Sequence, residues 1–227
     1  MTCVVCIARR YPNRLEHLAV HINVPNLPLL VGCFLHSQLF PNSAQSPNTL
    51  PLHELPSPDP RSCKVFHSAL AEFYAPSDYS GASGRTRERI RSTPSWKDHG
   101  PRRDCILVTQ DTEAKGMAGM EVARARLFFT FKHRHKCFAS VLVEWFTTRP
   151  RPCRTTGMWI VDRDHERDGS PVLEVIHIDA VVRGVHLIPV YGDGFIPQDT
   201  SFTNSLDRYD TFYVNKYADH HSHEIIF

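Results

Sequence analysis

The stretch at residues 121–149, EVARARLFFTFKHRHKCFASVLVEWFTTR, constrains the fold more than any other part of the chain. It holds two long runs rich in β-branched and aromatic residues, joined by the short polar link His133-Arg134-His135-Lys136. Such residues suit a pleated, half-buried surface, so the pattern predicts a β-hairpin at the centre of a small sheet domain. Val122, Leu127, Phe129 and Phe131 fall on one side of the first ribbon, and Cys137, Ala139, Val141, Val143 and Trp145 alternate likewise on its partner. Phe128, Phe138, Leu142 and Phe146 are apolar toward the other side. Both faces therefore need cover, which later strands and a helical N-terminal segment can supply. Trp145 and Trp159 are read as anchors of this core, with indole N–H groups that need acceptors.

Ahead of the hairpin, residues 13–21 place Leu15, Leu18 and the following Ile22 at helical spacing, with Asn13 as N-cap. Residues 26–39, NLPLLVGCFLHSQL, predict a second helix, with Pro25 and Pro28 at or near a first turn that tolerates them. Its expected buried stripe is Leu29, Leu30, Cys33, Phe34 and Leu39. Residues 40–62 carry Pro41, Pro47, Pro51, Pro56, Pro58 and Pro60 among Ser and Asn, a linker or irregular wrap without regular structure. The chain thus divides into a helical segment at 1–40, a Pro-rich linker at 41–62 and a β-rich domain at 63–227.

Within that domain, residues 64–74 read as one strand that ends abruptly at Ala75-Pro76. Residues 80–84 read as a flexible turn, 105–109 as a short strand and 116–119 as a loop. Further strands are expected at 157–162, 172–178, 185–191 and 211–217. A helical turn capped by Asp179 is expected at 179–182, and a closing helix at 220–227. This spacing predicts a mainly β (α+β) fold, a small β-barrel or curled antiparallel sheet around the hairpin.

Four clusters could carry chemistry. Arg85, Arg87, Arg89 and Arg91 recur at every second position, so an extended strand puts all four guanidinium groups on one face. Such a row can follow a phosphate backbone or an acidic peptide, and Trp96 adds a stacking face beside Lys97, Arg102 and Arg103. The bland alternative is a solvated edge strand protected by its charge. Cys3, Cys6, His17 and His21 have the order of a zinc site, two thiols in a turn and two imidazoles one helical turn apart. The ten-residue gap is shorter than a zinc finger's usual one, and an incidental Cys pair before an amphipathic helix is the stronger reading. Asp162, Asp164, His165, Glu166 and Asp168 are interleaved with arginines, as at a polar hairpin tip. Asp219, His220, His221, His223 and Glu224 match a capped terminal helix better than any hydrolase signature. Cys137, beside His133 and His135, reads as a buried, inert thiol. No Gly-rich loop joins a strand to a helix, and no Ser/His/Asp or Cys/His triad stands out. The sequence therefore predicts no enzyme and no cofactor.

Seven cysteines, an odd number at irregular spacing, follow an N-terminus without the apolar core of a signal peptide. Reduced thiols in a nuclear or cytoplasmic protein are expected, and no apolar run is long enough to cross a bilayer. The formal charge of +2 does not by itself argue for nucleic acid.

From about Leu18 onward the chain resembles the C-terminal region of proteins encoded by fungal Plavaka-type elements, of the CACTA superfamily of cut-and-paste transposons. The phrases that carry the resemblance are HINVPNLPLL, VFHSALAEFYAPSD, RERIRSTPSW, ARARLFFTF, GMWIVDRD, VIHIDAVVRGVHLIPVYG and DRYDTFYVNKYADHHSHEI, in this order. In that family this region lies downstream of the transposase core, so the resemblance implies no catalytic carboxylate here. Residues 1–13 fall outside it, which implies a truncated or re-started reading frame. In layout only, residues 103–109, ARARLFF followed by SVLVEWFTTRP, VIHIDAVVRGVHLIPV and DTFYVNKYAD are more weakly similar to the strands of bromo-adjacent homology (BAH) domains, β-rich modules that read chromatin proteins. Together these imply a non-enzymatic, transposon-derived module that binds a chromatin protein or another protein. The alternatives are a DNA-contacting accessory module of a transposase and a decayed fragment without activity.

Overall fold

The computed structural model describes residues 11–75, 84–97, 100–192, 194–201 and 203–227. Helices α1 (Leu15–His21) and α2 (Leu27–Leu39) come first. Strands β1 (Lys64–Phe66), β2 (Ser68–Tyr74), β3 (Arg85–Thr93), β4 (Arg102–Arg103) and β5 (Cys105–Thr109) lead into the long pair β6 (Met120–His133) and β7 (Lys136–Thr148). Strands β8 (Ile160–Arg163), β9 (Leu173–His177), β10 (Val181–Val185) and β11 (Leu187–Pro189) follow. Helix α3 (Ser205–Arg208), strand β12 (Thr211–Val214) and helix α4 (His220–Ile226) end the chain. The expected turn at 80–84 lies, except for Gly84, outside the described residues.

The predicted hairpin is the spine of the molecule. β6 and β7 pair antiparallel from Val122↔Phe146 to His133↔Lys136. Arg134 and His135 make the two-residue turn with φ of 47° and 68°. Two left-handed positions in a row are the signature of a type I′ turn, for which Asn-Gly is the usual choice. Here the Asp59 carboxylate compensates, accepting the Arg134 and His135 N–H groups at 3.0 and 3.3 Å. The Asp59 N–H donates to the Lys132 carbonyl at 2.7 Å, and His133 Nδ1 meets the Ser57 carbonyl at 2.7 Å. The Pro-rich segment is thus fastened to the hairpin tip. It also contains two 3₁₀ turns, Pro47–Thr49 and Leu52–Glu54, where no regular structure was expected; the first opens on a proline whose fixed φ suits it.

A tight turn that pairs His133 with Lys136 must set Phe131 opposite Phe138 and Leu127 opposite Leu142. Phe138, Leu142 and Phe146 therefore share the face of Leu127, Phe129 and Phe131, and Phe128 lies opposite Val141. The reading that grouped Phe138, Leu142 and Phe146 with Phe128 is corrected. A bulge at Arg126, between Ala125 and Leu127, inserts the extra residue that keeps Val122 and Leu127 on one side.

The bulge also divides the hairpin's neighbours. Beyond it β1 pairs with β6, while β9 pairs with β7 past the bulge, from Ser140↔His177 to Glu144↔Leu173. Toward its base, β6 pairs with β5 and β7 with β8, and β12 and β11 extend the sheet. Residues 181–189 then pair through β10 with β5 and through β11 with β12. One continuous run thus bridges the two ends, leaving a nearly closed, antiparallel barrel-like sheet. That run was expected only from 185. The turn before it is 3₁₀, Ile178–Ala180, and its cap is His177, whose Nδ1 accepts the Asp179 N–H, so Asp179 does not cap.

Three buried clusters hold the layers together. In the first, Leu18, Leu27, Val31, Phe34 and Leu35 from the helices pack on Leu127, Phe129, Phe131 and Phe138. Each such side chain contributes about 1.5–3 kcal/mol when fully buried. The buried face of α2 is Leu27, Val31, Phe34 and Leu35, while Leu29 is exposed, so the expected stripe is rotated. An almost wholly apolar helix such as LPLLVGCFL offers more than one stripe, and the sheet selects among them. Gly32 adds a close approach, since a Cβ there would lie 2.9 Å from Leu55 Cβ. The N-cap of α1 is Arg14 without a side-chain hydrogen bond, so Asn13 does not cap it.

In the second cluster, Ala69, Ala71 and Ile90 cover Phe128, Val141, Val143 and Trp145. The predicted strand at 64–74 breaks at His67: β1 joins the barrel sheet, and β2 joins a separate three-stranded sheet, β2-β3-β4. The third cluster fills the barrel, with Leu107, Val122, Phe146, Val161, Leu187, Phe212, Val214 and Ile226. Trp145 is buried, whereas Trp159 is only half-buried at the edge of this cluster and is not an anchor. No helix among the described residues is long and apolar enough to cross a membrane.

Candidate functional site

The arginine row forms as its spacing predicts. In β3, Ile90 is buried against the second cluster, while Arg85, Arg87 and Arg89 are exposed and Arg91 is half-buried. Strand β2 runs beside the row. Its Glu72 takes both Arg85 and Arg87 at 3.2 Å, and Ser68 Oγ accepts from Arg89 at 3.1 Å. Asp104 accepts the Arg91 backbone N–H at 2.8 Å and pairs with Arg102 at 2.7 Å. Among the described residues, Glu72 pairs with Arg85 and Arg87 and Asp104 with Arg102, two carboxylates on a face that also carries Arg89, Arg91 and Lys97.

Trp96 does not offer the open stacking face expected of it. The Arg91 and Arg102 guanidinium carbons lie 4.5 and 5.1 Å from its ring centroid, and the Lys97 ammonium lies at 5.6 Å. Each such contact is worth about 0.5–1 kcal/mol at an exposed site. The indole therefore gathers cations rather than awaiting a base.

Glu88 points the other way and ties β3 to the barrel. It accepts the Gly184 N–H at 3.0 Å and lies 3.6 Å from Arg183. Between β3, residues 100–105, β10–β11, residues 203–206 and residues 218–222 opens a cleft of about 830 Å³. It takes in Arg87, Arg89, Arg91 and Trp96, and it reaches Arg103, Arg124, Arg183 and His221 deeper in.

At one end of the cleft Arg183 is 6% exposed. It donates to both Asp219 oxygens, at 2.9 and 2.7 Å, and to His221 Nδ1 at 3.1 Å. A guanidinium only donates, so His221 Nδ1 accepts and the neutral ring carries its proton on Nε2. Phe73 stacks on His221 at 4.5 Å and under Arg183 at 4.7 Å. Burial works to raise the Asp219 carboxyl pKa, but hydrogen bonds from Arg183 and the Ser222 N–H hold it down at about 2. Burial, with Arg183 beside it, pushes the His221 imidazole below its ordinary value.

At the barrel's mouth lies a second charged group. Glu144, 1% exposed, accepts from Arg126 at 2.8 Å and from Arg163. Arg163 also donates to the carbonyls of Leu206 and Tyr209. Arg124, 4% exposed, pairs with Asp207 at 2.5 Å.

The other sequence clusters stay apart. Cys3 and Cys6 lie outside the described residues, and His17 and His21 are exposed on α1. No group of three or more His, Cys, Asp or Glu among the described residues is placed to hold a metal. Asp162 is forked onto Arg149 at 2.7 Å through each oxygen and accepts from Thr211, and Asp168 closes its turn onto Ser170. Asp219 caps α4 through the Ser222 N–H at 2.7 Å. Cys137 is exposed, not buried, because it lies next to the hairpin turn.

Sequence reading missed Arg124 and Arg183. Their signal was an arginine at an inward position of an otherwise apolar ribbon, in VARARLFF and VVRGV. Comparison of the chain with protein-family models, with curated proteins and with solved structures found no match.

Proposed function

We propose that this chain is a non-enzymatic, transposon-derived binding module that takes an acidic segment of a partner protein, a chromatin protein foremost, along β3 and the adjoining cleft. The observation that carries the reading is the arginine row, held solvent-facing by a strand whose other face is packed on the core. The ordered phrases shared with Plavaka-type proteins support the ancestry, and the free thiols among the described cysteines suit a reducing nuclear or cytoplasmic setting.

A peptide fits better than a nucleic acid. Glu72 on β2 and Asp104 after β4 flank the row, so a continuous phosphate track would meet two carboxylates. Trp96 is already covered by cations, which removes the stacking platform that single strands use. DNA contact is the rival reading, supported by the same guanidinium groups.

The test measures binding of a Glu/Asp-rich peptide and of DNA of unrelated sequence across a salt series. The peptide is expected to bind, and R87A/R89A to weaken it severalfold with the melting temperature unchanged. Salt-dependent DNA binding without peptide binding would favour the rival. Neither ligand binding, with a cooperative melt retained, would leave a folded fragment without activity.

A further inference from the structure

Positive charge is in excess at the barrel's mouth. Arg103, Arg124, Arg126 and Arg163 surround two carboxylates, Glu144 and Asp207. Glu144 spends one oxygen on Arg126 and the other on Arg163. Asp207 holds Arg124 at 2.5 and 3.3 Å and lies 3.6 Å from Arg163. No hydrogen bond or ion pair among the described residues reaches the half-buried Arg103 side chain.

Unused donors lie along the same wall. Arg124 Nε is buried and has no acceptor, although its side chain is only 5% exposed. Arg91 Nε is also buried without an acceptor. Arg91, Arg103 and Arg124 all line the one cleft. Buried cations are ordinarily paired, because desolvation is costly without a counter-charge. Burial first, and then the neighbouring Arg126 and Arg124, hold the Arg103 guanidinium below its ordinary pKa. An anion in the cleft would relieve the repulsion among these guanidinium groups and give Arg103 an acceptor.

We infer that Arg103 and Arg124 form an oxyanion site in the cleft, which takes one carboxylate or phosphate group carried on the acidic partner segment. Guanidinium groups present planar donor pairs that match two-oxygen acceptors. The site rests on the reading of β3 as the binding face: the exposed row holds the segment's length, and the cleft receives one of its side chains.

The test uses the full chain, with R103Q and R103K. R103Q removes the charge, and R103K keeps the charge but loses the fork. The probes are a Glu/Asp-rich peptide, the same peptide with one phosphoserine, and inorganic phosphate. R103Q should weaken the better peptide about tenfold, a loss typical of a hydrogen bond to a charged group, with partial recovery in R103K. Because Arg103 is unpaired without ligand, R103Q should leave the melting temperature of the free protein unchanged or raise it. A drop in melting temperature together with undiminished peptide affinity would assign Arg103 a purely structural role and overturn the site. The preferred peptide tells a carboxylate from a phosphate. Binding of inorganic phosphate with neither peptide bound would overturn the protein-borne source. Peptide affinity lost in R87A/R89A but kept in R103Q would sink the cleft site and leave the β3 reading standing. Affinity kept in both variants would remove both.

Discussion

The Trp145 indole N–H donates to the Glu174 carboxylate at 2.8 Å, across the β7–β9 pair and next to the point where β7 changes partner from β9 to β8. The ring itself is 7% exposed and packs with Phe128, Val141 and Ile90 in the second cluster. W145A should cost about 3–5 kcal/mol in urea unfolding, the range for losing a large buried aromatic. W145F keeps most of the volume and should cost less, with the lost hydrogen bond worth about 1 kcal/mol. An unchanged W145A curve would place Trp145 outside the core.

Glu144 holds two arginines in the barrel and has almost no contact with water. E144Q removes the counter-charge that Arg126 and Arg163 share, leaving Arg163 only the Asp207 carboxylate at 3.6 Å. Breaking a buried pair from one side costs about 3–5 kcal/mol, and guanidinium denaturation should read a loss of that size. A loss under about 1 kcal/mol would mean that the arginines find other acceptors.

The hairpin turn depends on a residue 75 positions away in the chain, since Arg134 and His135 hold left-handed backbone and Asp59 accepts both N–H groups. D59A should speed amide exchange at Arg134 and His135 with little change in the global melt. Adding R134N/H135G, which suits a type I′ turn, should restore protection. Exchange rates at the turn that D59A leaves unaltered would show that the turn holds itself.

Acid stability should fall in two stages. His221 has a depressed folded pKa, so its contribution is present above the ordinary value of about 6.5 and declines as pH falls below it. The charged groups facing it are Arg183, Asp219 and Glu224. Asp219 is also depressed, to about 2, so its contribution is complete above about pH 4 and is lost as pH drops toward 2. Melting temperature against pH should lose its upper limb in H221Q and its lower limb in D219N. Parallel curves for the wild type and both variants would contradict this.

The hairpin and the arginine row of β3 could be read from the sequence because each is a local pattern: β-rich runs on either side of a short polar link, and an arginine at every second position. The cross-strand grouping could not. It depends on the bulge at Arg126 and on the register set by the His133↔Lys136 pair, and a single-residue slip exchanges the faces. The break at His67 escaped for a related reason, since β1 and β2 look alike in composition and differ only in which sheet they join. The deep part of the cleft is assembled from β4, β6, β10 and the first turn of α4. Arg103, Arg124, Arg183 and His221 meet only once the barrel has closed, so no spacing in the chain announces them.

The central claim, that β3 and its cleft receive an acidic segment, is tested most directly by following backbone amide shifts while a Glu/Asp-rich peptide is added. The account predicts saturable shifts confined to β3, residues 102–105 and residues 183–187, with the tip of the β6–β7 hairpin unmoved. Saturable shifts centred on the hairpin tip or on α1 and α2, with β3 silent, would contradict it.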